Sequence, residues 1–388
     1  MAIKKKNKLK YLIHQLHLYG GLTSGVVVII VALTGCLYVF EEEGRELFQH
    51  DYLHVKTVGS LRLPLHQMMD TVKAHYPRES IASIRFKENQ DASFLFFTKS
   101  QNSIAVDPYT ARIMGTRDQK TDFFLVVREL HTHLLLGKVG GEIIRWNVLI
   151  FLVLCISGLV LWWPRQKKFF QQAARINFKT KNWKRFNWDL HSVLGFYAVL
   201  VLLIISLTGL FWTFDTAKGF VRFLTHEPAP EKEEKPRSQP MGRGGHFTMD
   251  DAYRYMSTHY PGAKETFITP PEGNQAPIRV LMRYPYTIVR KQNNVFFDRY
   301  SGQILKQELF TGYSAYDKVA RSNYDFHTGS IRFLGIGSKI IWFLASLMAA
   351  SLPVTGFLIW WGRKKKPASR KIVNNLNKEP RRLVIVNR

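Results

Sequence analysis

The sequence predicts a membrane protein with four transmembrane α-helices in two tandem repeats and two α+β modules outside the membrane. Four apolar stretches, at residues 18–40, 143–163, 193–214 and 340–361, are long enough to cross a bilayer, which takes about 20 residues. Short phrases from the first half of the chain recur in the second half in the same order. The two halves are therefore expected to have the same orientation, as in membrane proteins built from parallel repeats.

The net charge of +26 indicates membrane topology and not nucleic-acid binding, because the excess is confined to three short segments. Residues 1–16, 164–188 and 363–388 together hold 23 Lys and Arg against one acidic residue, Glu379. Basic residues accumulate in cytoplasmic loops, so we expect both termini and the central loop in the cytoplasm. The two cysteines, Cys36 and Cys155, fall in apolar stretches, which leaves no disulfide framework for the modules.

The duplication is visible in both the spans and the modules. The matching phrases are His17-x16-Thr34-Gly35 with His191-x16-Thr208-Gly209, Ser157-Gly158-Leu-Val-Leu-Trp-Trp with Thr355-Gly356-Phe-Leu-Ile-Trp-Trp, His-Tyr-Pro at 75–77 and 259–261, and Asp-x-Tyr at 107–109 and 298–300. Each module is predicted as an amphipathic helix, at 65–75 or 249–259, followed by strands at 93–99 and 103–107 or at 279–284 and 294–298.

These patterns divide the chain into eight parts. They are the N-terminus with the first span (1–41), the first module (42–130), the second span (131–164), the basic loop (165–188), the third span (189–214), the second module (215–326), the fourth span (327–362) and the basic tail (363–388). Within the second module, residues 227–245 are rich in Pro, Gly and charged residues, which predicts a flexible loop.

Four histidines, His17, His131, His191 and His327, each stand at the head of a long apolar segment. Ionisable residues at such places are costly and therefore presumed functional, and neutral imidazole is a common ligand of haem iron. The first and third spans run outward and the other two inward. We therefore expect His17 and His191 to share an inner haem, and His131 and His327 an outer one. One such histidine alone would be interpreted as snorkelling to the lipid headgroups, but four in duplicate register argue against that.

Two further histidines compete as ligands. His14 lies one helical turn before His17, but Trp188 occupies the equivalent place in the second half, which favours a surface position for His14. His133 follows His131 by two residues and its equivalent is Gly329. We therefore favour His131 as the ligand, with His133 either hydrogen-bonded to a haem propionate or on the path by which electrons leave.

The remaining histidines are not assigned to a site. His75 and His259 are interpreted as helix C-terminal residues, where an imidazolium is favourable and the following Pro stops the helix. The other extracytoplasmic histidines show no spacing typical of metal ligands; they are His50, His54, His66, His226 and His246.

Taken together, the chain resembles the PepSY-associated transmembrane family, which includes siderophore-iron reductases and iron-regulated membrane proteins. The residues that carry the resemblance are Leu16-His17-x3-Gly21, Leu130-His131-x2-Leu134-Leu135-Leu136-Gly137, Leu190-His191-x3-Gly195, His327-Thr328-Gly329 and the two Asp-x-Tyr turns. The resemblance implies a four-helix core with two b-type haems in a bacterial inner membrane, PepSY-like modules in the periplasm, and reduction of ferric chelates there. Families of this type often have Arg after the first and third histidines, where this chain has Leu18 and Ser192.

We therefore expect a haem-dependent oxidoreductase that reduces a ferric siderophore or another ferric chelate, with Arg283, Tyr284 and Arg290 as candidate contacts. No dinucleotide-binding or phosphate-binding glycine motif is present. The electron donor is thus expected to be a membrane quinol or a cytoplasmic reductase. Two alternatives remain open at this point. The modules could bind a regulatory partner without any redox activity, or the helices could form a permease for haem or a siderophore.

Overall fold

The computed structural model describes residues 8–164, 166–229, 234–239 and 247–364, which form a bundle of long helices and a domain built on one β-sheet. Four helices in this part of the chain are long and apolar enough to cross a membrane. Their outward surfaces are covered with exposed apolar side chains, which is the composition that a lipid bilayer requires. The chain is therefore a membrane protein.

The elements occur in the following order. The helices are α1 (Lys8–Tyr38), α2 (Glu41–Phe48), α3 (His50–Leu53), α4 (Leu65–His75), α5 (Phe123–His133), α6 (Gly137–Trp162), α7 (Phe170–Ala173), α8 (Trp183–Thr213), α9 (Asp215–Thr225), α10 (Met249–His259), α11 (Ala315–Thr328) and α12 (Ile336–Lys364). The strands are β1 (Ile81–Lys87), β2 (Phe94–Thr98), β3 (Asn102–Val106), β4 (Ile113–Asp118), β5 (Glu265–Thr269), β6 (Ile278–Tyr284), β7 (Lys291–Phe297) and β8 (Ile304–Glu308).

The four spanning helices form a closed ring in which α1 and α8 each contact both α6 and α12. We call the end of the bundle that carries α5 and α11 the sheet end. The end at which residues 166–182 join α6 to α8 is the basic end. Here Asn182 caps α8 by accepting hydrogen bonds from the backbone N–H groups of Lys184 and Arg185, which are otherwise unsatisfied at a helix start.

Two predicted boundaries were wrong. The second and fourth spans were expected to begin at residues 131 and 327, but α6 begins at Gly137 and α12 at Ile336. The preceding helices end because the backbone turns left-handed, at Leu134 after α5 and at Gly329 after α11. A Cβ on Gly140 would lie 1.6 Å from the carbonyl oxygen of His133, so only glycine lets α6 start this close to the end of α5.

The predicted modules are two halves of one domain. Their strands form a single antiparallel sheet in the order β4-β3-β2-β1-β5-β6-β7-β8, joined at the centre where Ile84 of β1 pairs with Ile268 of β5. The predicted helices α4 and α10 have the expected bounds, and they pack over the sheet around a common core that contains Met68, Phe96 and Met256. Each half alone would leave a sheet edge unpaired, and pairing the two edges removes that exposed backbone.

Several predictions concern residues outside the described part of the chain. These are residues 1–7, most of the basic tail, His246, and residues 230–233 and 240–245 of the predicted flexible loop. The described part of that loop is held against the sheet domain, because the backbone N–H of Ser238 donates to the carbonyl of Gln275 at 2.8 Å.

Candidate functional site

The structure brings together the two pairs of histidines that the sequence predicted. At the basic end, the rings of His17 on α1 and His191 on α8 have centroids 6.2 Å apart and planes at 85°. At the sheet end, the rings of His131 on α5 and His327 on α11 also have centroids 6.2 Å apart, with planes at 80°. The two pairs thus have nearly the same geometry although they are built from different elements.

Each of the four imidazoles has its Nδ1 atom beside a hydroxyl group of a neighbouring helix. The pairs are His17 with Ser157 at 2.9 Å, His131 with Thr34 at 3.0 Å, His191 with Thr355 at 2.9 Å and His327 with Thr208 at 2.9 Å. Each hydroxyl also lies within hydrogen-bond distance of a carbonyl four residues earlier in its own helix; the distances are 2.6 Å for Ser157, 2.8 Å for Thr34, 3.1 Å for Thr355 and 2.8 Å for Thr208.

These contacts assign the tautomer of the histidines. A carbonyl can only accept, so each hydroxyl donates its one proton to its own helix and accepts from the imidazole Nδ1–H. Two backbone contacts support this assignment independently: Nδ1 of His191 lies 3.1 Å from the carbonyl of Leu352, and Nδ1 of His327 lies 3.1 Å from that of Ile205. In a neutral imidazole with Nδ1 protonated, Nε2 carries the free lone pair. All four Nε2 atoms are therefore able to bind a metal.

A glycine follows each of these hydroxyl residues and makes room for the imidazole. The distance from a Cβ added to the glycine to Cε1 of the imidazole would be short in every case. It would be 3.1 Å from Gly158 to His17, 3.4 Å from Gly35 to His131, 3.2 Å from Gly356 to His191 and 3.5 Å from Gly209 to His327. We call each Ser-Gly or Thr-Gly dipeptide a hydroxyl–glycine pair. Every histidine is thus held by one such pair, whose hydroxyl accepts from Nδ1 while its glycine receives the edge of the ring.

Sequence reasoning missed this role. The hydroxyl–glycine pairs were recognised only as landmarks of the duplication. The available signal was that all four are Ser-Gly or Thr-Gly, and that two of them follow a histidine at the same sixteen-residue spacing. The spacing alone misleads about the partner, because Thr34 holds His131 and not His17. Its meaning depends on how the helices pack.

We refer to His131 and His327, at the sheet end, as the outer pair and to His17 and His191, at the basic end, as the inner pair. The histidines of the outer pair are positioned by the sheet domain. Asp122 caps α5 and accepts two hydrogen bonds from Arg45 of α2, at 2.7 and 3.0 Å. Asp325, two residues before His327 on α11, is buried and forms a bidentate ion pair with Arg290 of the β6–β7 loop. Paired in this way, buried carboxylates hold the two short helices in place.

The outer imidazoles are neutral. Burial lowers the pKa of His131 to about 4, and burial together with the neighbouring imidazole lowers the pKa of His327 to about 3. Both values lie well below neutral pH, so each of these rings keeps an unprotonated nitrogen.

The inner pair lies in a cavity of about 390 Å³. Gly21 and Gly195 line this cavity. A Cβ added to Gly21 would have no neighbouring side chain within 4 Å, and a Cβ added to Gly195 would contact only Leu352. Gly20 packs against α6, and Gly25 both lines the cavity and packs against Pro353 of α12. The glycines beside His17 thus serve both cavity lining and helix packing.

Basic residues line the same cavity at the basic end. They are Lys10, His14 and Arg363, and the Arg363 guanidinium lies 3.2 Å from His14 Nε2. His14, for which the sequence favoured a surface position, is partly exposed and borders the cavity. Trp188, its repeat equivalent, also lines the cavity and lies under the guanidinium of Arg363.

Other predictions about individual residues can now be compared with the structure. His133 contacts Thr132 through Nδ1 at 2.8 Å, and it is His131 whose ring faces His327. The interpretation of His75 and His259 as C-terminal residues of α4 and α10 is confirmed, since each donates from Nδ1 to a carbonyl one turn earlier, at 2.9 Å.

The three candidate chelate contacts are engaged within the protein. Arg283 forms an ion pair with Glu265, the hydroxyl of Tyr284 donates to a backbone carbonyl beneath the sheet, and Arg290 is the partner of Asp325. Their proposed role as contacts for a chelate is therefore not favoured, because each side chain has a structural partner of its own.

Two of the unassigned histidines lie in a cluster that the sequence did not indicate. His50 and His54, for which the sequence showed no metal-ligand spacing, lie with Glu46 so that one ligand atom of each is within 4.8 Å of the others. His66 instead pairs with Asp250 at 3.0 Å. The missed signal is a spacing of four residues, which places side chains on one face of a helix.

The chain matches the model of one protein family, described as the PepSY-associated TM region, over residues 14–363. The matched range contains all four histidines and all four hydroxyl–glycine pairs. No curated protein matches the sequence.

Proposed function

Since the chain belongs to the PepSY-associated TM region family, we propose that it is a dihaem oxidoreductase of a bacterial inner membrane. It carries electrons outward and reduces a periplasmic ferric chelate, with a ferric siderophore as the favoured substrate. The observation that carries this proposal is the presence of two imidazole pairs of matching geometry, one at each end of the helix bundle.

The separation of the rings supports ligation of one metal ion by each pair. A metal–imidazole bond is about 2.0 Å long and the ring centre lies about 1.1 Å behind the nitrogen, so two imidazoles on opposite sides of one ion have centres about 6.2 Å apart. Both pairs have this separation. Direct packing of two imidazole rings would not require it, and the tautomer leaves each Nε2 available.

The residues of the chain would act as follows. His17 with His191, and His131 with His327, would hold two b-type haems, which supply one-electron transfer when bound. The hydroxyl–glycine pairs keep each Nδ1 protonated and each ring in one orientation, as partners of metal-bound histidines generally do.

The cations around the inner cavity complement the carboxylates of a haem. Leu18 and Ser192 stand where related proteins often have arginine, and neither can pair with a propionate as a cation. His14 Nε2 accepts from the Arg363 guanidinium, so Lys10 and Arg363 provide the positive charge along the same cavity instead. They come from the two helix termini at the basic end, so the charge lies where a propionate would reach water.

The length of the cavity bears on electron transfer between the two sites. His17 and Thr34, which holds His131, are separated by seventeen positions on α1, or about 26 Å at a rise of 1.5 Å per residue. Residues that line the inner cavity extend along α1 to Val28, six positions or about 9 Å from Thr34. The cavity therefore bridges much of the distance between the two histidine pairs.

The choice of a ferric chelate rests on the resemblance and on chemistry. Ferric iron is a hard cation held by oxygen ligands, and addition of one electron weakens that hold, so the chelate releases its iron. The outer histidine pair lies under the sheet domain, which would bind the chelate. A quinol in the bilayer or a cytoplasmic reductase would supply electrons at the basic end.

The test is a reduced-minus-oxidised absorption spectrum of the detergent-purified chain, with haem quantified per polypeptide. We expect two low-spin b-type haems, and about half the signal in each of His17→Ala and His327→Ala. His133→Ala is the matched control, since its ring does not face His327, and it should retain the full signal. The reduced protein should then be oxidised by a ferric hydroxamate chelate.

A protein that stays colourless after haem supplementation would overturn the proposal and favour a partner-binding role for the sheet domain. Haem that exchanges freely and is not oxidised by the chelate would instead favour a permease.

A further inference from the structure

A second cluster of metal-ligating side chains lies outside the histidine pairs, on the short helices that follow α1. Glu46 on α2, His50 at the start of α3 and His54 at its C-terminal cap are spaced four residues apart. One ligand atom of each lies within 4.8 Å of the others, and the rings of His50 and His54 stack with centroids 4.6 Å apart. The three side chains therefore point to one side.

His54 is the most strongly positioned of the three. Its Nδ1 lies 2.8 Å from a carboxylate oxygen of Asp91, and its side chain is only 13% exposed. The adjacent backbone forms a β-bridge with Ala92, which fixes the ring relative to Asp91. Its Nε2 is buried and makes no well-aligned hydrogen bond within the described residues, although Glu46 Oε1 lies 2.5 Å away. A carboxylate on Nδ1 with Nε2 directed at further ligands is the usual arrangement around a metal-bound histidine.

We propose that Glu46, His50 and His54 bind one divalent first-row transition-metal ion, with Asp91 orienting His54. Two imidazoles and one carboxylate form a donor set suited to Zn²⁺ or Fe²⁺. Ligand bonds of about 2.0 Å at a tetrahedral angle place donor atoms about 3.3 Å apart, so Glu46 Oε1 must move away from His54 by a little under 1 Å. The Glu46 side chain is 48% exposed and is free to rotate. Solvent can supply the remaining ligand.

This proposal does not depend on haem, because none of its residues touches the histidine pairs. The test uses Zn²⁺ alone, titrated in competition with a fluorescent zinc indicator into the full-length chain in detergent, after removal of any affinity tag and treatment with chelator. We expect one tight equivalent per chain, and at least a tenfold loss of affinity in both His50→Ala and Glu46→Gln. These two side chains are exposed, so the variants should fold; an unchanged size-exclusion profile and far-ultraviolet circular dichroism spectrum check this.

His66→Ala is the matched control, since His66 is a second solvent-exposed histidine of the sheet domain that pairs with a carboxylate. It should bind Zn²⁺ as the parent does. Equal stoichiometry and affinity in the parent, His50→Ala and Glu46→Gln would overturn the proposal. The cluster would then be a structural contact of His54 with the carboxylates of Glu46 and Asp91.

Discussion

Replacing Thr208 by valine tests whether the hydroxyl–glycine pairs control the histidines as haem ligands. The hydroxyl of Thr208 accepts from Nδ1 of His327 at 2.9 Å and donates to the carbonyl of Ile204 at 2.8 Å. Valine has nearly the same shape, so the substitution removes the acceptor without opening a cavity. Thr208→Ser is the matched control, because it keeps the hydroxyl and loses only a methyl group.

The magnitude follows from the acceptors of the imidazole N–H. In the parent protein Nδ1 of His327 lies near both the hydroxyl and the carbonyl of Ile205, the latter at 3.1 Å. Loss of a partner of a metal-bound histidine costs about 10- to 100-fold in affinity. Because the carbonyl of Ile205 remains, we expect the lower end of that range, a weakening of about tenfold or 1.4 kcal/mol. The midpoint potential of the outer haem should also rise, since a weaker Nδ1–H bond makes the imidazole a poorer electron donor to ferric iron.

The assay measures haem transfer from the purified protein to apomyoglobin and, separately, the two midpoint potentials by spectroelectrochemical titration. In Thr208→Val one haem should dissociate about ten times faster and have a raised potential, whereas the other haem should be unchanged. Thr208→Ser should match the parent in both measurements. If valine and serine were both indistinguishable from the parent, the hydroxyl would have no part in ligand orientation and the tautomer argument would fail.

Three further outcomes are expected. Gly158→Val should halve the haem spectrum. A Cβ added at this position would already lie 3.1 Å from His17 Cε1, and the branched side chain would displace that ring; haem quantification per chain checks this. Arg363→Gln should lower the midpoint potential of the inner haem, since loss of a cation at the cavity favours the more positive ferric state, and added salt should shrink the difference. Burial raises the pKa of the Glu265 carboxyl, but ion pairs with Arg85 and Arg283 lower it by more. The ionised carboxylate should stabilise the sheet above its unfolded-state pKa of about 4.3, and this stabilisation should be lost as the pH falls and the carboxylate is protonated. Between pH 6 and pH 3 the thermal midpoint should therefore drop less in Glu265→Gln than in the parent protein.

The spanning helices could be predicted from the sequence because bilayer thickness imposes a length and a composition on them. The helices α4 and α10 could be predicted as well, from apolar spacing and from the Pro that follows each. The boundaries at residues 131 and 327 could not. Leu134 adopts a left-handed backbone that leucine ordinarily avoids, and no local residue preference announces such a turn. Tertiary packing imposes the break between α5 and α6.

The union of the two modules into one sheet was also beyond the sequence. Each half contains a complete set of four strands, and nothing local in β1 or β5 specifies that Ile84 will pair with Ile268. The register between distant strands is decided by which faces become buried together. The site shows the same limit. The histidine pairs followed from repeat symmetry, whereas the partner of each Nδ1 depended on helix contacts that symmetry does not reveal.

The two histidine pairs share their local geometry but differ in what surrounds them. His17 and His191 belong to spanning helices, so their separation is determined by packing within the bundle. His131 and His327 belong to short helices that are tied to the sheet domain, the latter through the buried ion pair of Asp325 with Arg290. Breaking such a pair leaves an uncompensated buried charge, which strongly resists independent movement of α11. A displacement of the β6–β7 loop by a molecule bound to the sheet domain would therefore reach His327 directly, while the inner pair is insulated by the bundle. The fold thus couples the pair at the sheet end to the sheet domain and leaves the pair at the basic end tied only to the bundle.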